Sequence, residues 1–246
     1  MPTTIHDQAV CIRHWDWSET SQTVSLFTHT HGIIRGLAKG SKREKTPFSG
    51  GIELLTQGEI VALVRSGGTL ATITAWHLTH PYTGIRRSLR AFYVGSYLMD
   101  LVHHAVTDAD PHPGLFTCLV EVLDRLSDRP EHALLLGQWG VLTETGYTPA
   151  LEPTAAPSHP GTIISFLPQK GLFVQREFAS THDGWRVRPE TVELLYHIAQ
   201  QAVIPAETDA ITIERASRLL GSYIRHVLAR DLPSAQPVFG PEGLVT

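Results

Sequence analysis

The first eighty residues alternate apolar and polar side chains in short runs that glycine-bearing turns interrupt, and this pattern most narrows the fold. The runs are "AVCIRHW" (9–15), "TVSLFT" (23–28), "IIRGLAK" (33–39), "IELLTQGEIVALVRS" (52–66, one long strand or two bulged ones) and "TLATITAWHLTH" (69–80). Alternation with period two puts successive side chains on opposite faces of a strand. "HTHG" (29–32) and the Gly67–Gly68 pair are turn signals. Five strands at this spacing, with glycines where a sheet must bend, predict a small closed barrel of the OB-like kind.

The pattern then changes. "SLRAFYVGSYLMDLVHHAV" (88–106) opens on a serine suited to cap a helix and is apolar nearly all round, which predicts a central, buried helix. Further helices are expected over 115–126, 131–146, 188–202 and 209–232, the last with Ala216, Leu219, Leu220, Tyr223, Ile224, Val227 and Leu228 on one face and Arg215, Arg218, Ser222 and Arg225 on the other. A proline-rich loop (147–161) precedes an expected β-hairpin near 162–178, and the proline-bearing end from Pro233 onward is expected to fray. The fold class is therefore α+β. The expected domains are a barrel over 1–82, a mainly helical domain over 83–240 that carries the hairpin, and a flexible tail over 241–246.

Charge adds a functional constraint. The 246-residue chain carries a net charge of -4, yet residues 1–90 hold ten Lys/Arg against six Asp/Glu, and residues 91–246 hold ten against eighteen. Five cations, Arg35, Lys39, Lys42, Arg43 and Lys45, fall between the end of the third strand and the loop after it. Such a cluster suits phosphates without reading bases. Gly36 and Gly40 would let a ligand approach the backbone. Arg65, Arg86, Arg87 and Arg90 extend the basic surface. Trp15, Trp17 and Phe48 flank turns and are candidates to stack on bases, whereas Phe27 and Trp76 read as core.

Other classes have little support. No G-x-S-x-G elbow, dinucleotide fingerprint, P-loop or zinc spacing occurs, and no enzyme is expected. The fourteen histidines, including His29, His31, His103 and His104, lack metal-ligand spacing, and no cofactor or metal is expected. Cys11 and Cys118 read as buried free thiols. No apolar run reaches the ~18–20 residues of a membrane span. "MPTTIHDQAV" lacks a basic or apolar leader, so the expected location is the cytoplasm. A protein-only adaptor whose barrel binds an acidic peptide is the competing reading.

The string "WSETSQTVSLFTHTHGIIRGLAKGSKR" (17–43) resembles the amino-terminal segment of the bacterial recombination mediator RecO. The matching positions are Ser18, Glu19, Ser21, Phe27, Thr28, Gly32, Ala38, Gly40, Lys42 and Arg43. "LLGQWGVLTETGYTPAL" (135–151) and "RASRLLGSYIRHVL" (215–228) resemble later segments of that family. The resemblance implies an OB-fold domain followed by a helical domain, in a nucleoid-associated protein. It implies binding and annealing of single- and double-stranded DNA, loading of the recombinase RecA with RecR, and contact with the acidic tail of single-stranded DNA-binding protein. Many members of the family carry a four-cysteine zinc site. Here "LEPTAAPSHPG" has no cysteine, and the hairpin is expected as a bare remnant. The helix over 135–146 lacks the basic residues expected for the tail contact; Arg125 and Arg129 are possible substitutes.

Overall fold

Small residues on the inward faces of the strands decide how the barrel closes. The structure, a computed structural model, describes residues 2–48, 50–65, 67, 68, 70–151, 163–175 and 184–240. Five strands, β1 (Pro2–Asp16), β2 (Gln22–Thr28), β3 (Gly32–Ala38), β4 (Gln57–Arg65) and β5 (Ala71–His80), form a closed barrel in the order β1-β2-β3-β5-β4. All neighbours are antiparallel except β3 and β5, which run parallel. Alternation carries Val24, Leu26, Ile34, Ala38, Ile60, Ala62 and Ile73 to the interior, and a register shift between β4 and β5 brings Trp76 to the same side. A β-carbon on Gly58 would lie 2.8 Å from the Trp76 ring, so the glycine is what lets that ring enter the barrel.

Gly36 plays the same part. A side chain there would meet Ile73 at 2.6 Å. Gly36 faces the core, and the expectation that it brings a ligand close to the backbone is corrected. Phe48 is corrected too. It is 4% exposed and joins Ile52 in the barrel core, where the β3–β4 connection folds back to plug the open end. Burying such a ring stabilises by roughly 1.5–3 kcal/mol, so it does not stand out as a stacking surface. The segment expected as a strand from Ile52 becomes regular only at Gln57. Before it, Leu55 is held at φ 61° and donates its N–H to the Cys11 carbonyl.

The chain divides into two compact units, 1–128 and 129–246. In the first, a 3₁₀ turn (Ile85–Arg87) leads into α1 (Leu89–Ala105), and α2 (Pro113–Arg125) follows. Ser88 caps α1 by accepting from the Ala91 N–H, as its place before the apolar run predicts. α1 is not buried all round: Leu89 and Phe92 face outward. Phe27 points out of the barrel but stays buried, with the Phe116 ring of α2 6.0 Å away. The α1–α2 connection runs against β3, and Ala109 N–H donates to the Ile33 carbonyl. Gly32 sits at φ 66°, and a β-carbon on it would lie 2.3 Å from the Asp110 carbonyl oxygen. Turn geometry and chain passage both require glycine there.

The second unit contains α3 (Pro130–Glu144), β6 (Ile164–Leu167), β7 (Leu172–Gln175), β8 (Trp185–Val187), α4 (Pro189–Gln201), α5 (Ala210–Leu228) and the short α6 (Gln236–Phe239). The expected hairpin is present as β6 and β7, but β8 adds a third strand on the other side of β6. Three residues are too few to show a period, which is why the sequence hid it. Phe166 packs against Phe173, Trp185 and Tyr223. Ser222, placed by pattern on the polar stripe of α5, is buried and donates to the Arg218 carbonyl. The end of the chain does not fray at Pro233, since Val238 and Phe239 are buried. The expected tail over 241–246, the ends of the hairpin at 162 and 176–178, and most of the proline-rich loop lie outside the described residues.

Among the described residues, no helix is long and apolar enough to cross a membrane. None of their His, Cys, Asp and Glu side chains group in threes or more to hold a metal ion. A four-cysteine zinc centre does not fit this chain. Its two cysteines lie on β1 and α2, and Cys118 is half-buried rather than fully buried.

Candidate nucleic-acid interface

Strand register brings two loops together at one rim of the barrel. Asp16 pairs with Gln22, and Gln22 pairs with Ala38, so the end of β1, the start of β2 and the end of β3 meet. The loop over 17–21 closes on itself, with Trp17 N–H donating to the Ser21 carbonyl at 2.9 Å. It is also clipped to the loop after β3. Gly40 N–H donates to Ser21 Oγ at 3.1 Å, and Lys42 N–H donates to the Thr20 carbonyl at 3.1 Å.

Gln22 fixes this rim from inside. Its buried side-chain oxygen accepts from Ser41 Oγ and from the Ile52 N–H, both at 3.0 Å, while its amide nitrogen donates to the Ile52 carbonyl at 3.2 Å. Buried polar groups satisfied this fully hold a loop in one conformation.

Between the loops lies a surface pocket of about 340 Å³, lined by Trp17, Ser18, Ser21, Leu37, Lys39, Gly40 and Arg43. Trp17 is 68% exposed. Among the described residues, Lys39 and Arg43 have no carboxylate within ion-pair distance. The pocket therefore joins two cations without an ion-pair partner among the described residues, two hydroxyls and an exposed indole.

The other sequence candidates separate. Arg35 points outward from β3, as alternation predicts, but its Nε lies 3.0 Å from Asp108 Oδ2. Lys42 pairs with Asp16. Arg86 pairs with Glu53 at 3.6 Å. Lys45 is exposed outside the pocket, and Arg65 pairs in register with Pro2, at the opposite end of β1 from Asp16. Arg87 and Arg90 flank the start of α1. The five clustered cations are thus not one display: two are matched by carboxylates and two converge on Trp17. Trp15 is exposed, with the Arg13 guanidinium 6.0 Å from its ring centre. Arg125 is paired with Glu121 at 3.7 Å along α2.

Sequence reasoning missed polar groups elsewhere in the first unit, where β1 meets α1 and at the β2–β3 turn, the far end of β2 from Gln22. Arg13 on β1 pairs with Asp100 on α1, and its Nη2 lies 3.2 Å from His104 Nε2. Burial, then the charges of Arg13, His104 and Arg35, hold His103 down at about 4. Asp7 accepts from His31 Nδ1 at 2.7 Å and from Thr30 N–H at 2.9 Å. Burial opposes ionisation of Asp7, but these hydrogen bonds outweigh it and keep the carboxyl below its ordinary range. The spacing of Arg13 and Asp100 carries no local signal, whereas Gln22 beside the Ser-rich turn was a detectable oddity in an apolar strand.

A closed five-stranded barrel in this order, with its pocket between the first loop and the end of the third strand, makes the front of the chain an OB-fold protein. Residues 1–82 match the family model described as Recombination protein O N terminal, and residues 86–236 match Recombination protein O C terminal. The chain belongs to the RecO family. It is 28% identical over 238 residues to the DNA repair protein RecO of Dehalococcoides mccartyi strain CBDB1, covering 94% of this chain and 93% of that one. The DNA repair protein RecO of Rhodopirellula baltica is 34% identical over 146 residues, covering 58% and 54%. That of Geobacter metallireducens is 34% identical over 119 residues, covering 48% of each chain. Membership puts the chain among DNA repair and recombination proteins.

Proposed function

We propose that the protein is a non-catalytic recombination mediator that binds single- and double-stranded DNA, anneals complementary strands and, with RecR, assists loading of the recombinase RecA. One observation carries this reading: Lys39 and Arg43, without an ion-pair partner among the described residues, share a pocket with an exposed tryptophan. Cations already matched by Asp108 and Asp16 have less to gain from a phosphate, so the binding energy concentrates at Lys39 and Arg43. Their contact with phosphates releases counterions and carries no base information. Annealing follows when two polyanions are held close while their repulsion is screened. No nucleotide hydrolysis is required.

We assign the DNA contact to residues 1–82 and the turn just after them, with Lys45, Arg65, Arg86 and Arg87 as outlying phosphate contacts, and protein docking to the acidic remainder up to residue 240. RecR is the partner this assigns to the rear, the acidic tail of single-stranded DNA-binding protein needs cations and is assigned to Arg125 and Arg129, and the cytoplasm, at the nucleoid, is the setting. Two measurements test the reading. Random oligonucleotides should bind at low salt and dissociate at high salt, and complementary strands should anneal faster with the protein, including when coated by single-stranded DNA-binding protein. Binding of an acidic peptide with a modest salt dependence, without oligonucleotide binding, would instead establish the adaptor reading.

A further inference from the structure

We infer that the pocket between Trp17 and Arg43 takes one unpaired nucleotide, which makes this site selective for single-stranded over duplex DNA; the inference rests on the DNA-binding reading above. Three features of the pocket point to this ligand. Its volume, about 340 Å³, is at the lower end for a small-molecule site and of the order of one nucleotide. Its walls divide by chemistry. Trp17 and Leu37 offer an aromatic and an aliphatic surface, while Lys39 and Arg43 supply positive charge and Ser18 and Ser21 supply hydroxyls. The indole, 68% exposed at the edge of the pocket, is accessible to a base. Only a base that is out of its stack has a face to give in return.

The rim is built before any ligand arrives. Ser21 Oγ already accepts from Gly40 N–H, which aligns its own hydrogen for donation elsewhere. Lys42, next to Arg43 in sequence, is turned away onto Asp16, so the charge in the pocket comes from Lys39 and Arg43 alone among the five clustered cations. A duplex reaches these cations with its phosphates but leaves Trp17 without a partner. An unpaired strand engages both.

The test compares a fluorescent mixed-sequence single strand with a blunt hairpin duplex, at several salt concentrations, for the full chain and for Trp17→Ala, Trp17→Phe and Lys39→Ala/Arg43→Ala. Trp17→Ala should weaken the single strand about ten-fold, Trp17→Phe much less, and neither should move duplex affinity beyond about two-fold. The salt slope for the single strand should be unchanged in both Trp17 variants and fall by about 1.4 in the double variant. Equal loss for both DNA forms in Trp17→Ala, or no loss for either, overturns the inference while leaving DNA binding intact. Absence of salt-sensitive binding by the unaltered chain overturns the DNA reading and this inference with it.

Discussion

The side-chain oxygen of Gln22 and the hydroxyl of Ser41 meet at 3.0 Å inside the barrel rim, with both side chains buried. Through this contact the cationic loop is fixed from the protein interior. Gln22→Leu keeps the bulk and removes both functions of the amide, leaving Ser41 Oγ and the Ile52 N–H and carbonyl without partners. Each stranded group costs roughly 1–3 kcal/mol. Urea denaturation should show a loss of a few kcal/mol, and hydrogen exchange should quicken at Ile52. An unshifted denaturation midpoint would count against this role.

Gly95 on α1 makes room for two leucines. A β-carbon there would lie 2.9 Å from Leu126 Cδ2 and 2.9 Å from Leu55 Cδ2. Both neighbours are side-chain ends and can yield in part, so Gly95→Ala should cost about 1–3 kcal/mol. Adding Leu126→Ala should lose less than the sum of the two single effects, because the cavity admits the new methyl group. Thermal or urea unfolding of the four species checks this.

His103 sets a pH dependence. Burial first, then the charges of Arg13, His104 and Arg35, lower it from 6.5 to about 4. Between these values the unfolded chain binds a proton that the folded chain refuses. Stability should therefore be complete above pH 6.5 and decline as pH falls toward about 4. The difference between the unaltered chain and His103→Gln, read from unfolding midpoints at several pH values, should change with pH only across that window and be level on either side of it.

The two kinds of cation should behave differently. Lys39→Ala/Arg43→Ala should reduce the slope of log K against log salt by about 1.4 on a single strand and about 1.8 on a duplex, at ~0.7 and ~0.9 per phosphate contact. Arg35→Ala/Lys42→Ala removes the same formal charge but from groups held by Asp108 and Asp16, and its slope should change less. Fluorescence anisotropy with a random oligonucleotide measures both; equal slopes would remove the pocket from the contact.

The barrel was legible because its information is local. Val24 and Leu26, or Ile60 and Ala62, alternate within a few residues and leave little choice of face. The site was legible in part, because a dense run of cations beside a strand end is visible as such. What the sequence could not reveal depends on distant pairing. Arg35 meets Asp108, which is 73 residues away, and Phe48 sits in a loop by composition but in the core by topology. The apolar residues at 88–106 promised full burial, yet Leu89 and Phe92 face out because the barrel covers a helix from one side only.

The Phe48 plug has a consequence for encounter kinetics. Because that ring is seated in the barrel and Gln22 holds Ser41, the ten or so residues bearing the cations were ordered when the chain folded, at ~1–2 kcal/mol apiece. An incoming strand has no such segment to organise. Its capture should proceed as collision with a finished mould, quick and steered by field, with no slow isomerisation following the bimolecular step.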